Sequence, residues 1–332
     1  VVCIEIKDYM GGSLGMDLAA EAAVPEETDV LHEVRERAVS FDEHGLRLDK
    51  VLTRMAPEFS RNHLQGLVEG GHVRLDGGPS LSSSRKLKAG QVLQITLVPS
   101  EESRAFLPQD MPLDVVYQDE HVLVVNKPAG LVVHPAAGNW SGTLLNGLLA
   151  RDPAAAHLPR AGIVHRLDKD TSGLMVVGRS LVAVTSLVRD IAARDVRRRY
   201  QALAHGDVGN RAFSVDAPIG RDPAARVRMA VVAQGKPART DVEPVACRGG
   251  ISAVRCALHT GRTHQIRVHL AHTGHPLVAD AVYGGKPALG MTRQALHAAE
   301  LGFAHPLTRE PLLFQAPPPA DFAQAWANVV SG

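Results

Sequence analysis

Apolar residues recur along this chain with two different periods, and each change of period marks a new element. Leu48, Val51, Leu52 and Met55 stand at i, i+3, i+4 and i+7, which predicts a helix with Arg47, Lys50 and Arg54 off its apolar stripe. Pro57 closes that helix, Ser60 caps a second one with Leu64, Leu67 and Val68 turned inward, and Gly70-Gly71 ends it. His72 to Leu75 alternates as a strand into the turn Asp76-Gly77, and a last strand follows Gly90 from Val92 to Val98. Before Leu46 no period is sustained, so residues 1–44 read as a mobile extension with one helical stretch from Glu27 to Val39. Between Pro99 and Pro112 three prolines stand among serines and acids, a linker composition that places a spacer at 101–112.

From Leu113 a second, larger domain begins and runs to about residue 325. His121-Val-Leu-Val-Val125 reads as a buried strand, and Gly162-Ile163-Val164 and Leu174 to Val177 as two more on either side of a polar loop. Ser180 caps a helix with Leu181, Val184, Leu187, Val188 and Ile191 on one face. In the strand that starts at Val196, alternation puts Arg198, Tyr200 and Ala202 on one face and Arg197 and Arg199 on the other. Ile251 to Leu258 is another strand, Gly261 a turn and Thr263 a helix start. Strands outnumber helices and neighbour each other through short turns. The predicted class is α+β: a catalytic-sized domain at 113–325 with a mixed, largely antiparallel sheet and flanking helices, preceded by a small α/β domain at 45–100.

Composition narrows the setting. The 332 residues suffice for two domains, and no stretch approaches the roughly 18 apolar residues of a membrane span. Glu5, Lys7, Asp8 and Asp17 interrupt the first stretch, so it lacks the apolar segment of a secretory signal. Three cysteines, Cys3, Cys247 and Cys256, suit a reducing cytoplasm rather than a disulfide framework. A net charge of +1 rules out a bulk polycation, so any nucleic-acid contact must come from local clusters such as Arg194, Arg197, Arg198 and Arg199.

The polar loop His165-Arg-Leu-Asp-Lys-Asp-Thr-Ser-Gly173 is the densest candidate chemistry. His165 and Asp168 alone are too few donors for a metal, and Ser172 lacks the first glycine of a nucleophile elbow. Asp168-Lys-Asp170 is compatible with an aspartate-based phosphatase, although no later magnesium loop completes it. What stands is a carboxylate acting as nucleophile or base beside an arginine, or a structural turn salt-bridged to Arg166. Four histidines at 264, 269, 272 and 275 invite a metal reading, but their spacings of five, three and three do not pair two ligands at i, i+4.

His-Arg-Leu-Asp-x-x-Thr-Ser-Gly resembles the motif of the RluA-type pseudouridine synthases, which isomerise uridines in structured RNA. Further stretches match that family in order: Asn126-Lys127-Pro128, Arg198-Arg199-Tyr200, Gly261-Arg262-Thr-His264-Gln-Ile-Arg267-Val-His269, His275-Pro276-Leu277 to Asp280, and Tyr283-Gly284-Gly285. Arg47 to Leu52, Ser60-Arg61 and Gly71 to Gly77 likewise resemble the alpha-L RNA-binding domain. The resemblance spans about residues 46–315.

It implies Asp168 as the catalytic anion, Arg267 as its ion-pair partner, and Tyr200 packed on the uracil face and placed to take the C5 proton. Arg166 would fill the gap left by the flipped nucleotide. His165, Lys127 and Arg262 are implied as further RNA contacts, and Arg47, Lys50, Arg61 and Arg74 as phosphate contacts of the small domain. Pro218 to Asp222 and Gly235 to Thr240 are read as a hairpin arm with basic tips. Neither cofactor nor metal is implied. The partner is structured RNA, large-subunit ribosomal RNA in the first place, for a monomer with no membrane association. The competing readings are a synthase acting on transfer RNA, a ribosome-assembly factor without catalysis, and the phosphatase.

Overall fold

The computed structural model describes residues 33–98, 105–136, 138–225 and 228–331. The chain divides into two compact units at Ser100/Glu101. In the first, strand β1 (Glu33–Ala38) precedes helices α1 (Leu48–Met55) and α2 (Arg61–Glu69) and strands β2 (Val73–Leu75), β3 (Gly78–Pro79) and β4 (Val92–Leu97). The four strands form an antiparallel sheet in the order β1-β4-β2-β3. Leu48, Val51 and Leu52 of α1 and Leu64, Leu67 and Val68 of α2 bury against Val73, Leu93 and Ile95, which is the stripe the helical period implied. Ser60 caps α2 as expected, its Oγ accepting from the His63 amide at 3.2 Å.

One element differs. The helix expected over 27–39 is absent where the structure describes it: Glu33–Ala38 is a strand paired along its length with β4, from Glu33 opposite Leu97 to Ala38 opposite Val92. Residues 27–32 lie outside the described residues. Glu-Val-Arg-Glu-Arg-Ala suits a solvated helix as well as an edge strand, and pairing with a segment some sixty residues away decides between them.

The second unit is built on a sheet of nine strands. In chain order these are β5 (Val115–Gln118), β6 (Val122–Lys127), β7 (Ser172–Gly178), β8 (Arg197–His205) and β9 (Phe213–Asp216), with β12 to β15 following the arm described next. That arm is the short hairpin of β10 (Ile219–Arg221) and β11 (Met229–Val231), where the sequence placed it. Then come β12 (Arg239–Arg248), β13 (Ile251–Leu258), β14 (Leu296–Ala304) and β15 (Pro311–Gln315). The order is β5-β6-β7-β14-β8-β13-β12-β9 with β15 beside β14, and only β7 and β14 run parallel. Helices α3 (Leu144–Arg151), α4 (Leu181–Ala193), α5 (Gln265–His272) and α6 (Ala320–Val330) flank it, so the α+β expectation of a mixed, largely antiparallel sheet holds.

Where β7 meets β14, Gly173 sits at φ +118° with the Ala298 backbone so near that a Cβ would lie 2.3 Å from its carbonyl oxygen. Only glycine lets the two central strands close there. Gly162-Ile163-Val164, read as a strand, reduces to a single bridge from Ile163 to Val177. Part of the stretch read as a spacer is docked on α3: Asn146 Nδ2 donates to the carbonyls of Ala105 and Leu107 at 3.2 and 2.8 Å.

Candidate active site

The polar loop leads into β7 through a turn in which the Thr171 amide donates to the Asp168 carbonyl at 3.1 Å. His165 fastens the loop, its Nε2 accepting from the Val176 amide at 3.0 Å. Burial, with Arg198 adding to it, pushes the imidazole pKa down to about 3, so the ring is neutral and its Nε2 is committed to the backbone. His165 still lines the cavity, but its ring holds the loop in place rather than offering a charge to RNA.

Lys127, expected as an RNA contact, is 1% exposed. Its Nζ donates to the carbonyls of Pro128, Leu131 and Lys169, each at 2.9 Å. The ammonium ties the Asn-Lys-Pro turn to the loop that carries Asp168, and no donor is left for a phosphate. Burial lowers its pKa to about 8 against the opposing charges of Asp168 and Asp170. Lys127→Met leaves the Pro128 and Leu131 carbonyls without their donor, while the Lys169 carbonyl keeps the Gly130 amide at 2.9 Å. Since each buried unsatisfied group costs roughly 1–3 kcal/mol, a loss of about 3 kcal/mol is expected in urea unfolding of the full chain. An unchanged midpoint would show the three bonds to be incidental.

Arg267 projects from α5 and is 5% exposed. Its Nη1 donates to Asp168 Oδ2 at 3.0 Å, while Nε and Nη2 donate to the two oxygens of Asp280 at 2.7 and 2.9 Å. Burial opposes its charge, but the Asp280 bonds and the Asp168 charge outweigh it and raise its pKa. The guanidinium lies over the Tyr283 ring, 5.0 Å from the centroid. His264 completes the arrangement with Nδ1 2.8 Å from the Tyr283 hydroxyl and Nε2 3.9 Å from Asp168 Oδ1. Burial lowers the His264 pKa, with Asp168 acting against it.

These groups open onto a cavity of about 410 Å³, lined among others by Asp168, Arg166, His165, Tyr200, Arg262 and Arg267. That volume is in the range of roughly 300–1,000 Å³ typical of small-molecule sites. Six arginines (160, 166, 194, 198, 262 and 267) line it against the single carboxylate of Asp168. Arg166 is exposed and makes no hydrogen bond or ion pair among the described residues, whereas Arg262 Nε donates to the Pro237 carbonyl at 3.1 Å. Asp170 is not among the lining residues, and its carbonyl accepts from Arg293 Nη1 at 2.9 Å. Tyr200 is 6% exposed, and burial pushes its hydroxyl up to about 12, so it rests protonated.

Within the second unit the structure thus gathers six of the seven residues named from sequence in one cavity and leaves out one. Lys127 is behind the loop. Arg47, Lys50, Arg61 and Arg74 belong to the first unit, where buried Asp49 accepts from Arg47 Nη2 at 3.1 Å and from Arg61 Nη2 at 2.7 Å. Lys50 and Arg74 are exposed and make no ion pair among the described residues. Asp280, Arg198, His264 and Tyr283 were not given roles from sequence. Of the histidines that invited a metal reading, His264, His269 and His275 have separate partners: the Tyr283 hydroxyl, Thr240 with Ala217, and the His205 carbonyl.

A rigid sheet presenting one arginine-held carboxylate in a cavity rich in guanidinium groups defines an enzyme site for a polyanionic substrate. The RNA pseudouridylate synthase family matches residues 121–272, and the S4 domain family matches residues 46–93. A ribosomal large subunit pseudouridine synthase D from Neisseria meningitidis serogroup B is 50% identical over 290 residues, 83% of this chain and 77% of that protein. The protein of the same name from Xanthomonas campestris pv. campestris is 46% identical over 301 residues, 87% of this chain and 90% of its own. Among solved structures, human RNA pseudouridylate synthase domain containing 1 matches with a TM-score of 0.50 and 29% identity, over 67% of this chain and 86% of that one. The chain belongs to the RNA pseudouridine synthase family and is an RNA pseudouridine synthase with an N-terminal S4 domain.

Proposed function

We propose that this enzyme isomerises particular uridines of large-subunit ribosomal RNA in the cytoplasm, with Asp168 as the reacting anion. The choice of RNA is supported by the names of relatives up to 50% identical, and the choice of residue by the Arg267–Asp168 pair inside the arginine-lined cavity. The reaction breaks the bond from ribose C1′ to uracil N1, turns the base and rejoins it through C5. No redox change is involved.

Asp168 faces the ribose or the base edge, and Arg267, fixed by Asp280, pairs with it and keeps it aimed. Tyr200 packs on the uracil. Because its hydroxyl rests protonated, it takes the C5 proton only by passing on its own, and N1 of the turned base is the atom that needs one. Arg166, exposed and without an ion pair among the described residues, is available to stack into the gap the everted nucleotide leaves, offsetting part of the few kcal/mol that flipping costs. The S4 domain adds phosphate contacts through Arg47, Lys50, Arg61 and Arg74, which contribute affinity rather than sequence choice. Carbodiimide mapping of pseudouridines in cells with and without the gene tests the target. Sites lost from large-subunit ribosomal RNA are expected, and losses confined to transfer RNA would refute the assignment.

A further inference from the structure

Arg198 is the buried cation that the mechanism above leaves unused. It lies two residues before Tyr200 on the same inward face of β8, is 6% exposed, and lines the same cavity. Its Nε is buried without any partner, and among the described residues its guanidinium makes no hydrogen bond or ion pair. Buried guanidinium groups are normally matched by a carboxylate or several acceptors. Here the near carboxylates are already taken, since Arg267 holds both Asp168 and Asp280. The chain also makes room for the group. A Cβ on Gly261 would stand 2.8 Å from Arg198 Nη1, so the guanidinium rests against a residue with no side chain to displace it.

Burial sorts the cavity's arginines by the acceptors they suit. Arg160, Arg166 and Arg194 are exposed at the rim, where phosphates keep their hydration. Arg198 is enclosed beside the tyrosine, where a base must lie. We propose that Arg198 donates to a carbonyl oxygen of the target pyrimidine and carries the charge of that base once it is detached. The inference rests on the synthase reading and deepens it. When C1′–N1 breaks, its electron pair stays with the base, and N1, O2 and O4 share one negative charge. C1′, left electron-deficient or held by the Asp168 carboxylate, receives the pair that C5 supplies once the base has turned; any Asp168–C1′ bond breaks as the new one forms, the C5 proton leaves, and N1 takes up a proton. A preorganised guanidinium facing those oxygens stabilises the anion without reorganising. Being a donor only, it also suits the oxygen at position 4 of uracil and not the amino group of cytosine.

The test is single-turnover tritium release from large-subunit ribosomal RNA labelled at uridine C5, alongside RNA affinity, for Arg198→Met, Arg198→Lys and, as a control outside the cavity, Arg255→Met at an exposed position of β13. Loss of one such donor predicts a fall of about 10²–10³-fold in rate for Arg198→Met, with affinity held within about threefold. Arg198→Lys should recover part of that loss, and Arg255→Met should match the wild type. In Arg198→Ala, added guanidinium ion should raise the rate where urea does not. An Arg198→Met enzyme as fast as wild type overturns the proposal. So does one that loses affinity and salt dependence with its rate intact, which marks a phosphate contact, or one whose melting temperature and affinity fall together with rate, which marks a structural residue. A wild type that releases no tritium refutes the choice of large-subunit ribosomal RNA on which the inference rests, and is thereby distinguished from a failure at Arg198 alone.

Discussion

Asp168→Asn is expected to abolish tritium release from RNA labelled at uridine C5, a fall on the order of 10⁴-fold or more, while RNA still binds. Asparagine has the shape of aspartate and keeps an oxygen for Arg267 Nη1, now 3.0 Å from Asp168 Oδ2, so the loop and cavity should stand. What disappears is the one negative charge lining a cavity with six arginines. Affinity for a polyanion should therefore hold or tighten slightly. Asp170→Asn supplies the contrast. Its side chain is outside the cavity lining, and the contact it makes to Arg293 uses its backbone carbonyl, which the substitution leaves in place. It should retain activity within about threefold. The reverse pattern, with Asp170 essential and Asp168 dispensable, would overturn the assignment.

Asp280→Ala is expected to be the most damaging change away from the reacting atoms. Asp280 is 1% exposed and spends both oxygens on Arg267 at 2.7 and 2.9 Å. Removing it leaves a buried guanidinium with Asp168 as its remaining carboxylate. Breaking a buried pair from one side costs roughly 3–5 kcal/mol, which should appear in denaturant unfolding. Arg267 would also lose the grip that fixes its direction, so kcat should fall about 10²-fold as Asp168 loses its aim. Asp280→Asn, keeping one acceptor, should recover most of the stability but less of kcat, with KM little changed. A role confined to stability would instead restore both together. Asp280 is a positioning residue, and this split is what separates it from a purely structural one.

Much of the fold was legible because its periods are clean. Leu48–Met55 and Arg61–Glu69 are helices over the residues whose apolar spacing indicated them, and β8 buries Arg198, Tyr200 and Ala202 as its alternation required. Motif order brought Asp168, Tyr200 and Arg267 into one cavity, though they come from a loop, a strand and a helix far apart in the chain. The misses share a physical cause: each depends on a partner distant in sequence. Lys127 reads as a surface lysine in a turn until the Lys169 carbonyl, brought in from the catalytic loop, is seen to accept from it. The strand Glu33–Ala38 carries the charges of a solvated helix, and only pairing with Val92–Leu97 makes it extended. Asp280 lies thirteen residues beyond Arg267, past the end of α5, at a spacing no helical or strand period singles out. Arg198 shares a face with Tyr200 by simple alternation, yet its want of an acceptor is visible only in three dimensions.

The central claim is that a uridine leaves its helix and enters this cavity with C1′ or C6 against residue 168. A crystal structure of the Asp168→Asn enzyme bound to a stem-loop carrying the mapped target tests it most directly. The account predicts an everted uridine packed on Tyr200, with C1′ or C6 about 3–3.5 Å from the residue 168 carboxamide. A target base still stacked in the RNA helix, with the cavity holding only solvent, would contradict it.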